Sequence, residues 1–201
     1  MNLTGELLGH YYQKDRWIFK DVNITVTPGQ VLGLSGYSGC GKTTLARILA
    51  GYMPPRTGLV AIGEKPLERK AFRPVQLIYQ HPEKAIDPKW RMKEVLTESY
   101  TPSPDILDAF EIREEWLNRW PLELSGGQLQ RFCIVRALNP ATRFIIADEM
   151  TTMLDAITQA KIWNAFLHIC KNREIGIIVV SHEKSLINRI CDEVYEVGPP
   201  H

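Results

Sequence analysis

Residues 36–43 read Gly36-Tyr37-Ser38-Gly39-Cys40-Gly41-Lys42-Thr43, which is the pattern GxxxxGK[ST], and they lie between the apolar stretch 31–34 and a stretch of helical composition, 44–50. A strand that runs through such a loop straight into a helix belongs to an α/β protein with a mostly parallel sheet. Gly36, Gly39 and Gly41 let the backbone bend until consecutive N–H groups face inward at the positive end of the following helix, and that makes an anion cradle. Lys42 can then reach the outer phosphates of a nucleotide, and the Thr43 hydroxyl suits magnesium. A plain glycine-rich turn before a helix would need neither Lys42 nor Thr43 in those places.

The rest of the chain continues the same alternation. Residues 22–26 alternate apolar and polar, and Pro28-Gly29 turns the chain into 31–34, so two early strands joined by a turn are expected. Gly51 and Pro54-Pro55 stop the helix after the loop. Residues 75–79 read as a strand, after which Pro82, Pro88, Pro102, Pro104 and Pro121 break the chain into short helical pieces up to Leu124. A helix over 129–138, a buried strand over 144–147, a helix over 156–170 and strands over 177–180 and 193–197 complete the order. Apolar strands separated by helices predict a parallel sheet covered on both faces. At 201 residues with 44% hydrophobic composition, the chain has room for one substantial core and little room for two.

Composition narrows the setting. Lys and Arg number 24 against 23 Asp and Glu, and the net charge of +1 supplies no field to attract nucleic acid or anionic lipid. The longest strongly apolar runs, such as 175–180, fall far short of the roughly 18 to 20 residues that cross a bilayer. Residues 1–10 lack the basic start and apolar stretch of a secretory signal, so a cytosolic location is expected. Cys40, Cys133, Cys170 and Cys191 are widely spaced, without CxxC pairs or matching histidines, which predicts reduced thiols.

Two further motifs carry chemistry. Phe144-Ile145-Ile146-Ala147-Asp148-Glu149 is an apolar run ending in two carboxylates, at the strand edge where open α/β sheets bind ligands. Asp148 is placed to hold magnesium, and Glu149 to orient an attacking water and draw off its proton. Leu124-Ser125-Gly126-Gly127-Gln128 precedes a helix, with Ser125 set to cap it and two glycines leaving the backbone bare, a second anion-binding helix start. The phosphate loop alone is shared by kinases, GTPases, motor ATPases and transporter ATPases. No guanine-reading NKxD pattern occurs.

With LSGGQ standing unaltered at residues 124–128, the chain resembles the ABC transporter ATPases over nearly its whole length. The resemblance implies a P-loop NTPase fold of ABC type across residues 1–201, with an N-terminal antiparallel β part and a helical subdomain at about 81–140. It implies ATP and Mg2+ as ligands, with Gly36 to Thr43 and Thr44 around the phosphates. In that family Ser125, Gly126, Gly127 and Gln128 of one subunit close over ATP held by another, so two sites form across a head-to-tail dimer. Gln80 resembles the glutamine that touches magnesium and senses the γ-phosphate, and His182 the switch histidine supporting Glu149. Asp155 resembles the aspartate that communicates across the dimer. Of His10-Tyr11-Tyr12, Tyr12 is expected to stack on adenine.

The stretch 124–131, LSGGQLQR, with Tyr79-Gln80-His81-Pro82 and Asp87-Pro88, resembles the dipeptide, oligopeptide and nickel importer branch. That branch implies an unlike ATPase partner, two membrane permeases that dock on the helical subdomain, an extracytoplasmic solute-binding protein, and a peripheral place on the cytoplasmic membrane face. Three departures stand out: Met150 and Met153 replace residues usual in the family, and the sequence ends soon after 193–197, where many peptide-importer ATPases carry an extension. A non-transport ABC ATPase acting in DNA repair, translation or a soluble complex stays open, as does a small-molecule kinase, although the kinase leaves 124–128 and His182 without a role.

Overall fold

The computed structural model describes residues 1–14, 16–68 and 73–198. The chain divides into two compact units. The first comprises Met1–Leu77, Arg143–Asp148 and Arg173–His201, and the second Ile78–Thr142 and Glu149–Asn172.

The first unit contains two sheets. Strands β1 (Leu3–Gln13), β2 (Arg16–Val26), β4 (Thr57–Ile62) and β5 (Lys65–Pro66) form one, in the order β2-β1-β4-β5. Its pairings β1–β2, β1–β4 and β4–β5 are antiparallel. In β2 the side chains of Val22, Ile24 and Val26 are buried while those between them are exposed, the period-two pattern of a sheet wetted on one face. Leu7 and Asp21 adopt positive φ, 48° and 54°, where the β1–β2 register shifts, so these strands are bulged and bent.

Strands β3 (Val31–Ser35), β6 (Val75–Ile78), β7 (Phe144–Asp148), β8 (Gly176–Val180) and β9 (Glu193–Glu196) form the other sheet, in the order β6-β7-β8-β3-β9. The β7–β8, β8–β3 and β3–β9 pairings are parallel. Every residue of β7 and β8 is buried, which explains why both read as unbroken apolar runs. Helix α1 (Lys42–Leu49) packs on β7 and β8 through a face that includes the buried Leu45 and Ile48.

The early strands 22–26 and 31–34 are both present, joined at Pro28-Gly29, yet they belong to different sheets, because β3 has both edges taken by parallel partners. The long first strand β1 has no counterpart in the expected elements. Its burial is irregular along the bulged stretch, so period-two alternation is blurred where it would be sought.

The second unit holds α2 (Met92–Thr97), α3 (Pro104–Ala109), α4 (Glu114–Leu117), α5 (Gly126–Ala137) and α6 (Ala156–Asn172). Proline sets the starts of short pieces here: Pro104 opens α3, and Pro82 and Pro121 open single 3-10 turns. Met92, Phe110, Phe132, Val135 and Phe166 are buried in this unit. Arg131 of α5 donates to the Phe110 carbonyl at 3.0 Å and to Glu111 at 2.7 Å, and Lys161 of α6 reaches the other oxygen of Glu111 at 3.2 Å. Helix α7 (Lys184–Ile190) follows β8 in the first unit. No helix among the described residues is long and apolar enough to cross a membrane.

Candidate functional site

The phosphate loop joins β3 to α1 as its pattern requires. Gly36, Gly39 and Gly41 all take positive φ, 148°, 85° and 99°. Gly41 is the most constrained of them: it is the residue before α1, in a left-handed conformation, and a Cβ there would stand 2.4 Å from Ile18 Cγ2. Neither conformation nor space allows a side chain. Lys42 is only 6% exposed, and its Nζ donates to the carbonyls of Gly36 at 2.9 Å and Tyr37 at 3.0 Å. A buried ammonium needs such acceptors, and these hold it across the mouth of the loop, at the positive end of α1. Ser38 and Tyr37 lie on the exposed outside of the loop, while the Cys40 thiol is buried beneath it.

Thr43 Oγ1 donates to Asp148 Oδ1 at 3.3 Å, which brings together two of the three residues expected to hold magnesium. Asp148 is 4% exposed, at the carboxyl end of β7. The parallel register Asp148↔Val180 and Val180↔Leu34 puts the ends of β7, β8 and β3 side by side. Asp148, the exposed His182 and the start of the phosphate loop therefore share one sheet edge, where parallel α/β sheets bind ligands. A hydroxyl and a carboxylate within hydrogen-bonding reach of each other are hard oxygen donors of the kind magnesium prefers. On that chemistry and that geometry the residues fit a magnesium nucleotide.

Tyr12 and Tyr11 face different surroundings. Tyr11 meets Trp17 edge-on, with 5.0 Å between centroids, and carries the Arg56 guanidinium 5.0 Å above its ring. Tyr12 is 60% exposed, and its hydroxyl lies 2.9 Å from Thr44 Oγ1 in the first turn of α1.

In the second unit Gln80 Nε2 donates to Glu149 Oε2 at 2.8 Å. Glu149 has φ 49°, a left-handed conformation that a residue with a side chain adopts at a cost of about 1–3 kcal/mol. Strain of this kind concentrates at functional positions, and here it sits on the carboxylate expected to handle water. The sequence carries no local signal for it.

Ser125 and Gln128 form a reciprocal capping box at the start of α5: Gln128 N–H donates to Ser125 Oγ at 3.2 Å, and Ser125 N–H to Gln128 Oε1 at 2.9 Å. A Cβ on Gly126 would stand 2.8 Å from Met153 Sδ, and one on Gly127 2.7 Å from Leu154 Cδ2, so either substitution would make one of these side chains shift. Met153 thus abuts the signature loop, a contact not visible in the spacing of the motifs. Met150, the other departure, is buried at 1% exposure.

Asp155, immediately before α6, accepts the backbone N–H groups of Ile157 at 3.1 Å and Thr158 at 3.0 Å, so it caps that helix. Hydrogen bonds from the Thr158 side chain and backbone hold its carboxyl below the ordinary value of 3.8. A depressed folded pKa gives stability that is present above the unfolded value and lost as pH falls through the folded one. Asp155→Ala is therefore expected to lower the melting temperature at neutral pH, and its melting curve should converge on that of the wild type as pH falls below the ordinary carboxylate range. Thermal unfolding followed by circular dichroism across that range checks it.

The family pattern described as ABC transporter matches residues 19–152. The nickel import ATP-binding protein NikE of Escherichia coli (strain K12) is 29% identical over 221 residues, covering 96% of this chain and 82% of that protein. The nickel import system ATP-binding protein NikE of Staphylococcus aureus (strain MSSA476) is 33% identical over 196 residues, covering 91% of this chain and 81% of its own. Among solved structures, an ATP-binding subunit of an ABC transporter superposes with a TM-score of 0.84 at 24% identity, over 98% of this chain and 85% of that one. A dimeric ATP-binding cassette in a post-hydrolysis state, bound to ADP and Pi, gives 0.82 at 23% identity, over 96% and 93%. These likenesses bear out the α/β fold of P-loop ABC type. The chain belongs to the ABC transporter family as an ATP-binding, ATP-hydrolysing subunit, and it resembles the nickel-import branch.

Proposed function

We propose that this chain powers import of nickel, metal complexes or peptides across a membrane, by hydrolysing ATP in a head-to-tail dimer with a second, related ATPase. The observation that carries the reading is the pairing, in one chain, of a complete phosphate loop with an unaltered and rigidly capped LSGGQ loop. The first would hold the chain's own ATP, and the second would be lent to its partner's.

Lys42, the loop N–H groups of residues 36–43 and the start of α1 bind the phosphates, and Tyr12 takes the adenine. Thr43, Asp148 and Gln80 are the residues to hold Mg2+, which when bound offsets negative charge on the phosphate oxygens. Glu149 accepts a proton from the attacking water, and its hydrogen bond from Gln80 aims the carboxylate. Water and the γ-phosphoryl group yield Pi, while ADP leaves. His182, which follows β8, is assigned the switch role in hydrolysis. Ser125 offers its hydroxyl, and Gly126 and Gly127 their backbone N–H groups, to the γ-phosphate of the partner's ATP, with Gln128 bracing the loop through the capping box.

In this reading the whole of residues 1–201 works as one ATPase domain, its helical subdomain at about 81–140 receives the permeases, and the chain sits peripherally on the cytoplasmic membrane face. A solute-binding protein outside the membrane would deliver cargo, and no nucleic acid takes part. Isolation of the chain from detergent-solubilised membranes tests the assignment. Recovery with two integral membrane proteins and an unlike ATPase is expected, whereas recovery with ribosomes or DNA would point instead to a non-transport ABC ATPase.

A further inference from the structure

The Tyr12 ring is exposed yet held from two sides. Its hydroxyl is hydrogen-bonded to Thr44 Oγ1 at 2.9 Å. On the other side the His10 imidazole packs edge-to-face, with 5.1 Å between centroids and 79° between planes, the arrangement aromatic pairs favour. His10 is 3% exposed and also lies against Phe19, with 6.5 Å between centroids. Burial, and then the positive charge of Arg56, lower its pKa, so at neutral pH it packs as an uncharged ring.

An exposed tyrosine ordinarily samples several rotamers, and fixing one on binding a ligand costs affinity. Here the tether runs from β1 to the first turn of α1, the element that begins at the phosphate loop. The orientation of the ring is thereby tied to the position of the loop.

We propose that Thr44 and His10 are positioning residues that hold the Tyr12 ring in place, ready to stack on the base of the bound nucleotide. The inference rests on the assignment of the base to Tyr12 made above. Preorganisation of one side chain is expected to change affinity ~2- to 12-fold, and only for ligands that carry a base.

The test is titration of the full chain with ATP and with inorganic triphosphate, taking the ratio of the two affinities. Tyr12→Phe, which keeps the ring and removes the tether, should lower the ratio ~2- to 12-fold. Thr44→Val should do the same, and Thr44→Ser, which restores a hydroxyl, should recover the wild-type ratio, a rescue that loss of packing alone would not give. A wild-type ratio in Tyr12→Phe beside a reduced ratio in Tyr12→Ala overturns the positioning role and leaves the stacking role standing. A wild-type ratio in Tyr12→Ala removes the base assignment, and this inference with it.

Discussion

Replacing Glu149 by Gln is expected to lower ATP turnover ~10²- to 10⁴-fold, the range general-base catalysis supplies, while ATP still binds as in the wild type. The substitution conserves shape and the acceptor oxygen, so the contact with Gln80 Nε2 at 2.8 Å can persist and the strained turn at φ 49° need not relax. What is lost is the capacity to accept a proton from water. Nucleotide affinity depends on other groups, chiefly Lys42 and the loop N–H donors. Single-turnover hydrolysis measured beside equilibrium ATP binding separates the two effects. Retained turnover would remove Glu149 from its role.

Lys42→Ala should act on the opposite quantity. Its ammonium donates to the carbonyls of Gly36 and Tyr37 and is poised to exchange them for phosphate oxygens without leaving the loop. Hydrogen bonds to charged groups contribute about 1.5–3 kcal/mol, so ATP affinity should fall ~10- to 150-fold. Lys42 is buried at the start of α1, and alanine is a good helix former there, so the fold should survive. Calorimetric titration gives the affinity, and a thermal scan confirms that the variant is folded. Unchanged affinity in a folded variant would contradict the phosphate-loop reading.

Much of this arrangement is legible in the sequence because the elements involved are local. The phosphate loop announces itself through its glycines, and β7 and β8 through unbroken apolar runs, since a strand buried on both faces has no polar alternation to show. The cap at Ser125 is legible for the same reason, since it acts within one turn, and the structure adds the reciprocal bond to Gln128. Strand β1 escapes because bulges at Leu7 and opposite Asp21 disturb its alternation. The early strands on either side of Pro28-Gly29 are readable as strands, but their separation into two sheets depends on long-range pairing with β8 and β9, which no local pattern carries. The same holds for the contacts that refine the site. The approach of Met153 to Gly126, the tether from Tyr12 to Thr44 and the pairing of Gln80 with Glu149 each join residues far apart in the chain.

The central claim is that this chain carries two half-sites and completes neither alone. The most direct measurement is ATP turnover per chain as a function of protein concentration, alone and with any ATPase that co-purifies with it, with association state followed by sedimentation. The account predicts that the monomer binds ATP with negligible turnover, and that activity rises in step with dimer formation. Full turnover by a chain that remains monomeric at every concentration would contradict it.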